Sequence, residues 1–209
     1  MNDPIQKLVE IFSHFPGIGA RQARRFAYYV LTRDSVQIKN LIDSIQEGKK
    51  TVIACSECGR LFSRKDAKLK LCDICADSKR ETSLLMVVAR DVDVESIEKS
   101  DIYHGYYFVL GGTVPILDEK PETRVRISPL QKKIEEKIKT GLKEIVLAFD
   151  LNPEGEHTVQ YVSKTIAPLV EKNSLTLTLL GRGLSTGTEL QYSDSDTIKN
   201  ALQNRASVK

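Results

Sequence analysis

No stretch of this sequence approaches the roughly twenty consecutive apolar residues needed to cross a bilayer, and no apolar leader precedes the rest. A soluble, cytoplasmic protein with no membrane partner is therefore expected. A Gly-x-x-x-x-Gly-Lys-Ser/Thr phosphate loop is absent, which removes nucleotide hydrolysis of the P-loop kind. Low-complexity segments and internal repeats are also missing. Histidine is scarce: His14, His104 and His157 are all there are, and all precede Ser185, which sits in a Gly-x-Ser-x-Gly pattern. A hydrolase nucleophile elbow places its histidine after the serine, so that pattern is read as a chance match. His157 beside Glu156 has no converging nucleophile and reads as an exposed surface histidine.

Cysteine is nearly absent too, and its placement is the most informative feature of the chain. All four cysteines fall in one short segment, as Cys55-Ser56-Glu57-Cys58 and, after a small loop, Cys72-Asp73-Ile74-Cys75. Two CxxC knuckles at this spacing suit a tetrahedral thiolate site for structural zinc, one per chain. Gly59 permits the tight backbone after the first knuckle. The alternatives are two disulfides or a redox pair. Disulfides need an oxidising compartment, and a redox pair does not come as two matched knuckles. With four cysteine ligands no position stays open for a catalytic water, so the metal is expected to hold shape. The intervening loop is basic and poor in large apolar residues, so metal ligation is expected to supply its folding energy.

The net charge of +3 is unevenly divided. Residues 1–80 hold 15 Lys/Arg against 9 Asp/Glu, and residues 81–209 hold 16 against 19, giving +6 and −3. A basic front half favours a polyanion partner. Within it, Ile5, Leu8, Val9 and Phe12 mark an amphipathic helix; Ala23, Phe26, Ala27 and Val30 mark a second; Ile38, Leu41, Ile42 and Ile45 mark a third. Between the first two lies Pro16-Gly17-Ile18-Gly19. Gly17 and Gly19 allow a sharp bend whose free amides face outward at the start of the second helix, a place for a DNA phosphate. Arg21 and Arg25, one turn apart, and Arg24 beside them would flank that phosphate. Turn, basic pair and short helices together resemble the helix-hairpin-helix motif of DNA repair proteins. Tyr28 and Tyr29 are read, with Tyr103, Tyr106 and Tyr107, as core or rim residues.

From Ser83 the texture becomes α/β. Apolar strands at Leu84–Ala89, Tyr106–Leu110, Glu144–Phe149 and Leu175–Leu180 alternate with helices at Val92–Lys99, Leu130–Thr140 and Thr158–Val170. That alternation implies a parallel sheet with helices on both faces, whose functional residues belong at the carboxyl ends of the strands. The third strand ends in Asp150-Leu151-Asn152, followed by Glu154-Gly155-Glu156. This arrangement resembles the Toprim fold, in which a glutamate after the first strand and Asp-x-Asp after the third hold magnesium. Here Ala89-Arg90 follows the first strand and Asn152 is neutral, so Asp93, Asp150 and Glu154 would hold magnesium only weakly. The two-metal arrangement for in-line displacement is not assembled, and no tyrosine nucleophile is indicated by spacing.

The order helix-hairpin-helix, four-cysteine zinc finger, Toprim domain and C-terminal tail resembles the bacterial recombination mediator family RecR. Further likeness lies in Tyr107-Phe108-Val109-Leu110-Gly111-Gly112, in Glu154-Gly155-Glu156 with Thr158, and in the tail from Gly183 to Arg205. The resemblance implies a non-enzymatic protein that binds DNA, forms a homo-oligomeric ring (a tetramer), and with RecO or RecF helps load recombinase on single-stranded DNA. It implies DNA contacts at Arg21 and Arg25, zinc at Cys55, Cys58, Cys72 and Cys75, and partner contacts at Asp93 and Glu154. The acidic residues Asp150 and Glu156 are grouped with these as expected partner-binding residues. Departures occur at Ala89, where the family usually has glutamate, and at residues 114–121, and both bear on the RecO contact. The expected division is 1–52 for DNA binding, 53–78 for zinc, 79–175 for the Toprim domain and 176–209 for a C-terminal strand, loop and helix suited to oligomerisation. The competing function is an active Toprim nuclease or primase-like enzyme.

Overall fold

The computed structural model describes residues 3–64, 66, 68–117, 120–184, 187 and 189–205. Ser185, of the Gly-x-Ser-x-Gly pattern, lies outside the described residues. The chain divides into two compact units, Met1–Val52 and Ile53–Lys209.

In the first unit, α1 (Pro4–Ser13) and α2 (Ala20–Leu31) form an antiparallel hairpin. Asp3 caps α1 by accepting the Ile5 N–H, and Pro4 occupies the first helical position, where its missing donor costs nothing. Val9, Ala23 and Ala27 are buried at the contact, flanked by Ile5, Leu8, Phe12 and Ile18. The two alanines matter because their small side chains let the helix backbones approach. The chain reverses at Gly17, whose φ of +74° is the left-handed conformation that suits glycine. A third helix, α3 (Ser35–Thr51), is capped by Asp34 through the Gln37 N–H. It forms where its apolar period predicts, yet none of its residues is buried, and Leu41, Ile42 and Ile45 face solvent.

The second unit is built on a four-stranded parallel sheet in the order β4-β3-β5-β6. Its strands are β3 (Glu81–Val88), β4 (Gly105–Val109), β5 (Glu144–Ala148) and β6 (Thr176–Leu179). Their connections run through α5 (Asp91–Ser100), α6 (Ile127–Ile138) and α7 (Pro153–Lys172). The expected strands and helices are all present, with ends shifted by a few residues. The largest shift is at α7, which begins at Pro153 because Asn152 caps it.

Side-chain alternation divides the sheet into two cores. Leu85, Val87, Phe108, Ile145 and Leu147 point to one face and pack against Leu130 and Ile134 of α6 and Val162 and Ile166 of α7. Met86, Val88, Tyr107, Val109 and Ala148 point to the other face and meet Val94 of α5. That second face is completed by Cys55, Cys58, Cys72 and Ile74. The cysteine segment carries a short ribbon, β1 (Val52–Ala54) with β2 (Leu61–Ser63), and one helical turn, α4 (Asp73–Ala76). Besides the folding energy expected from metal ligation, this segment therefore has the support of a hydrophobic core. The last helix, α8 (Ser195–Gln203), is capped by Asp194 through the Thr197 N–H at 2.9 Å.

Candidate functional site

In the first unit, Arg21, Arg24 and Arg25 all lie exposed on α2. None of their side chains makes an ion pair or hydrogen bond with another of the described residues. Gly19 is the N-cap of α2 and offers no side-chain cap, and the first internal bond runs from the Ala23 N–H to the Gly19 carbonyl at 2.9 Å. The amides of Ala20, Arg21 and Gln22 are therefore open at the helix start. The sequence reading gave Gly17 and Gly19 the same reason, and the structure separates them. Gly17 needs its positive φ, whereas Gly19 is extended at φ −82°, a conformation open to any residue. An added Cβ at either position would meet nothing within 4 Å. Of the five tyrosines expected at core or rim positions, Tyr106 and Tyr107 are buried, whereas Tyr28 and Tyr29 are 52 % and 59 % exposed and belong to no core.

The metal centre lies in the second unit. The sulfurs of Cys55, Cys58, Cys72 and Cys75 all lie within 4.8 Å of one another, the first three residues being buried. Four sulfurs placed 2.3 Å from a central zinc stand about 3.8 Å apart, and Cys58 Sγ and Cys72 Sγ are 3.7 Å apart. The donor set and its spacing fit a tetrahedral thiolate site. Close packing spreads the acidities of the thiols: hydrogen bonding from Cys58, then from Cys72 and Cys75, holds Cys55 well below the ordinary thiol range. Gly59 has φ +74°, and a Cβ there would meet Arg126 Nη1 at 2.4 Å and the Val109 carbonyl at 3.2 Å. The knuckle glycine thus serves the turn and also a close approach to the sheet.

Several polar contacts fasten this centre to the sheet. The Val109 N–H donates to the Cys58 carbonyl at 2.7 Å, and Arg126 donates to the carbonyls of Gly59 at 2.6 Å and Val109 at 3.2 Å. Asp91, in the first turn of α5, accepts the Leu61 N–H at 2.6 Å. Lys133 of α6 is ion-paired with Glu57. Sequence reasoning did not single out Arg126, Lys133 or Asp91. Their partners in the cysteine segment, Leu61, Gly59 and Glu57, are 30 or more residues away in the chain, and no local pattern announces them.

At the carboxyl ends of the strands the four expected acidic residues have different surroundings. Asp150 is exposed with no partner among the described residues. Asn152 Oδ1 accepts the Gly155 N–H at 2.8 Å, so the side chain that breaks the Asp-x-Asp pattern is a helix cap. Glu154 accepts from Thr113 Oγ1 at 3.2 Å, and Glu156 pairs with Arg182 at 2.9 Å. Asp93 Oδ2 accepts the Arg90 N–H at 2.7 Å at the start of α5. Among the described residues these carboxylates form no group of three or more converging ligands; only the cysteines do. His157 is half-buried, correcting the reading of it as exposed, and its Nδ1 lies 3.1 Å from the Val114 carbonyl.

In the sequence Gly155 and Thr158 are only part of a motif, and the structure supplies their reasons. A Cβ on Gly155 would lie 1.9 Å from the Asp150 carbonyl oxygen. Thr158 is fully buried; its hydroxyl donates to the Glu154 carbonyl at 2.7 Å and accepts the Val114 N–H at 2.8 Å. The pair sets how closely α7 approaches the end of β5 and fixes the loop after β4.

Comparison with known proteins matches these parts. A family model described as RecR, helix-hairpin-helix matches residues 5–48, and one described as Toprim domain matches residues 83–180. Recombination protein RecR of Bifidobacterium longum (strain DJO10A) is 35% identical over 201 residues, covering 96% of this chain and 94% of that protein. Recombination protein RecR of Endomicrobium trichonymphae is 34% identical over 202 residues, 97% and 96% of the two chains. Recombination protein RecR of Latilactobacillus sakei subsp. sakei (strain 23K) is 31% identical over 206 residues, 99% and 98% of the two. With likeness of this extent running through both units, the chain belongs to the RecR family.

Proposed function

We propose that this protein is a non-enzymatic recombination mediator in DNA repair: a sequence-independent DNA-binding factor that assembles as a ring and, with RecO or RecF, helps load recombinase on single-stranded DNA in the cytoplasm. The observation that carries the reading is the exposed arginine face of α2, with Arg21, Arg24 and Arg25 free of acidic partners among the described residues. Charges so placed neutralise phosphates without reading bases. Gly17 and Gly19 shape the turn in front of them. Zinc is the metal for the four cysteines, since an all-thiolate tetrahedral set is the structural zinc pattern. Bound there, it would hold the knuckles against the sheet and leave no position for a reacting group.

The division of labour follows the chain. Residues 1–52 bind DNA, 53–78 hold zinc, 79–175 form the Toprim domain, and 176–209 serve oligomerisation. Exposed Leu184, Leu190, Tyr192 and Leu202 in the last part, and the exposed apolar stripe of α3, support contacts between copies in a tetrameric ring. Asp93, Asp150, Glu154 and Glu156 form an acidic end that suits a basic protein surface, with Asp150 and Glu154 the most available. Their spread argues against tight magnesium binding and against in-line phosphoryl chemistry.

The test is DNA binding by the full chain against salt concentration. Replacing Arg21 and Arg25 with alanine should weaken binding to all sequences alike and lower the salt slope by about 0.7 to 0.9 per lost phosphate contact. An unchanged slope in folded protein places the DNA site elsewhere. Cleavage or primer synthesis with magnesium or manganese, abolished by Asp150→Ala, would instead establish the active Toprim enzyme.

A further inference from the structure

The DNA reading of α2 uses its arginines and leaves its aromatic residues unexplained. On this helix Arg21, Arg24, Arg25 and Tyr28 recur at three- and four-residue intervals, so they share one side. With Ala20, they line one concavity on the surface. Arg25 and Tyr28 also line the adjoining groove with Gln22, Phe26 and Tyr29. Tyr28 is 52 % exposed, and its ring makes no aromatic or cation–π contact among the described residues. Its neighbour differs: the Arg33 guanidinium lies 4.3 Å from the centroid of the Tyr29 ring. Tyr28 therefore offers a free ring face beside three guanidinium groups that have no acidic partner among the described residues.

We propose that Tyr28 is a base-stacking residue that gives the arginine face of α2 a preference for single-stranded over duplex DNA. The inference rests on the reading of α2 as the DNA site and adds the form of DNA it selects. Phosphate contacts exist on both forms of DNA and cannot discriminate strongly between them. A stacking ring can, because the bases of a duplex are already stacked on one another, while an unpaired base has a free π-face. The chemistry around the ring decides its occupant. An apolar protein surface would have to bury Arg21, Arg24 and Arg25 without counter-charges, at a high desolvation cost. A single strand brings a phosphate for the guanidinium groups and a base for the ring within one nucleotide.

The sequence contains no tryptophan, so Tyr28→Trp places a single indole at the proposed contact in the full chain. Its fluorescence should be quenched by oligothymidylate and little changed by a duplex of equal length. In parallel, Tyr28→Ala should weaken oligothymidylate binding about tenfold, change duplex binding less than about twofold, and leave the salt slope intact. Tyr28→Phe should restore wild-type binding, since stacking needs the ring and not the hydroxyl. Equal losses on both DNA forms, no loss on either, or a changed assembly mass for Tyr28→Ala would overturn the proposal. If Arg21→Ala and Arg25→Ala weaken both forms while Tyr28→Ala discriminates neither, this inference fails alone. If the arginine variants change nothing, the DNA reading of α2 fails with it.

Discussion

Lys133, 4 % exposed in α6, is ion-paired with Glu57, which sits between the two cysteines of the first knuckle. A lysine so deeply placed is tolerated only with a counter-charge. The pair thus links the metal centre to a helix on the opposite face of the sheet from the cysteine core.

Glu57→Gln should destabilise the second unit by about 1–3 kcal/mol, because a buried ammonium loses its charged acceptor. Adding Lys133→Met should recover most of that loss, since an apolar group can replace a buried ion pair at little net cost. Urea denaturation of the two single variants and the double variant measures the coupling. Strictly additive losses would show that the two side chains do not act on each other.

Cys58→Ser, or removal of the metal by a chelator, should loosen the sheet as well as the knuckles. The Val109 amide, which donates to the Cys58 carbonyl, should lose hydrogen-exchange protection. Met86, Val88 and Tyr107 lose a packed neighbour at the same time. Full protection of β4 in the metal-free variant would mean that the metal segment is an independent finger.

Gly155→Ala should cost stability at or above the upper end of roughly 1–3 kcal/mol, the range for overpacking. The added methyl would stand 1.9 Å from a backbone oxygen, and α7 would have to move. A melting temperature equal to wild type would show that α7 shifts freely.

Glu98 sets a pH dependence. Burial alone would raise its carboxyl pKa, but hydrogen bonds from Arg80 and Tyr107 outweigh that and hold it below the ordinary carboxylate range. A lowered folded-state pKa stabilises the fold above the unfolded value, and that stability is lost as pH falls through the folded one. Glu98→Gln should therefore lower stability at neutral pH and flatten the decline in the acid range. Denaturation midpoints across that range provide the check; an equal acid loss in both proteins would assign it to other carboxylates.

The acidic end of the sheet is expected to meet a protein. Glu154→Lys should weaken binding to RecO while leaving DNA affinity equal or slightly higher, as charge complementarity mainly governs association. Surface plasmon resonance with each partner separates the two effects, and unchanged RecO binding would move that contact elsewhere.

Local patterning in the sequence was enough for much of this. Four cysteines in two knuckles define a metal site because ligand type and spacing are local properties, and the sulfurs do converge. Alternating apolar strands and helices define the parallel sheet because each period reports one buried face. Asp150, Asn152 and Gly155 could be located at a strand end from the sequence alone. Their work could not, because it depends on where the chain returns: Asn152 caps a helix, and Gly155 makes room for the Asp150 carbonyl. Only tertiary structure decided that the cysteine segment completes a core face of the sheet, with Arg126 and Lys133 reaching it across more than sixty residues. It also decided that Tyr28 and Tyr29 face solvent while Tyr106 and Tyr107 do not. An aromatic residue has the same local signal on either side of an element, and burial is settled by whichever distant surface packs against it.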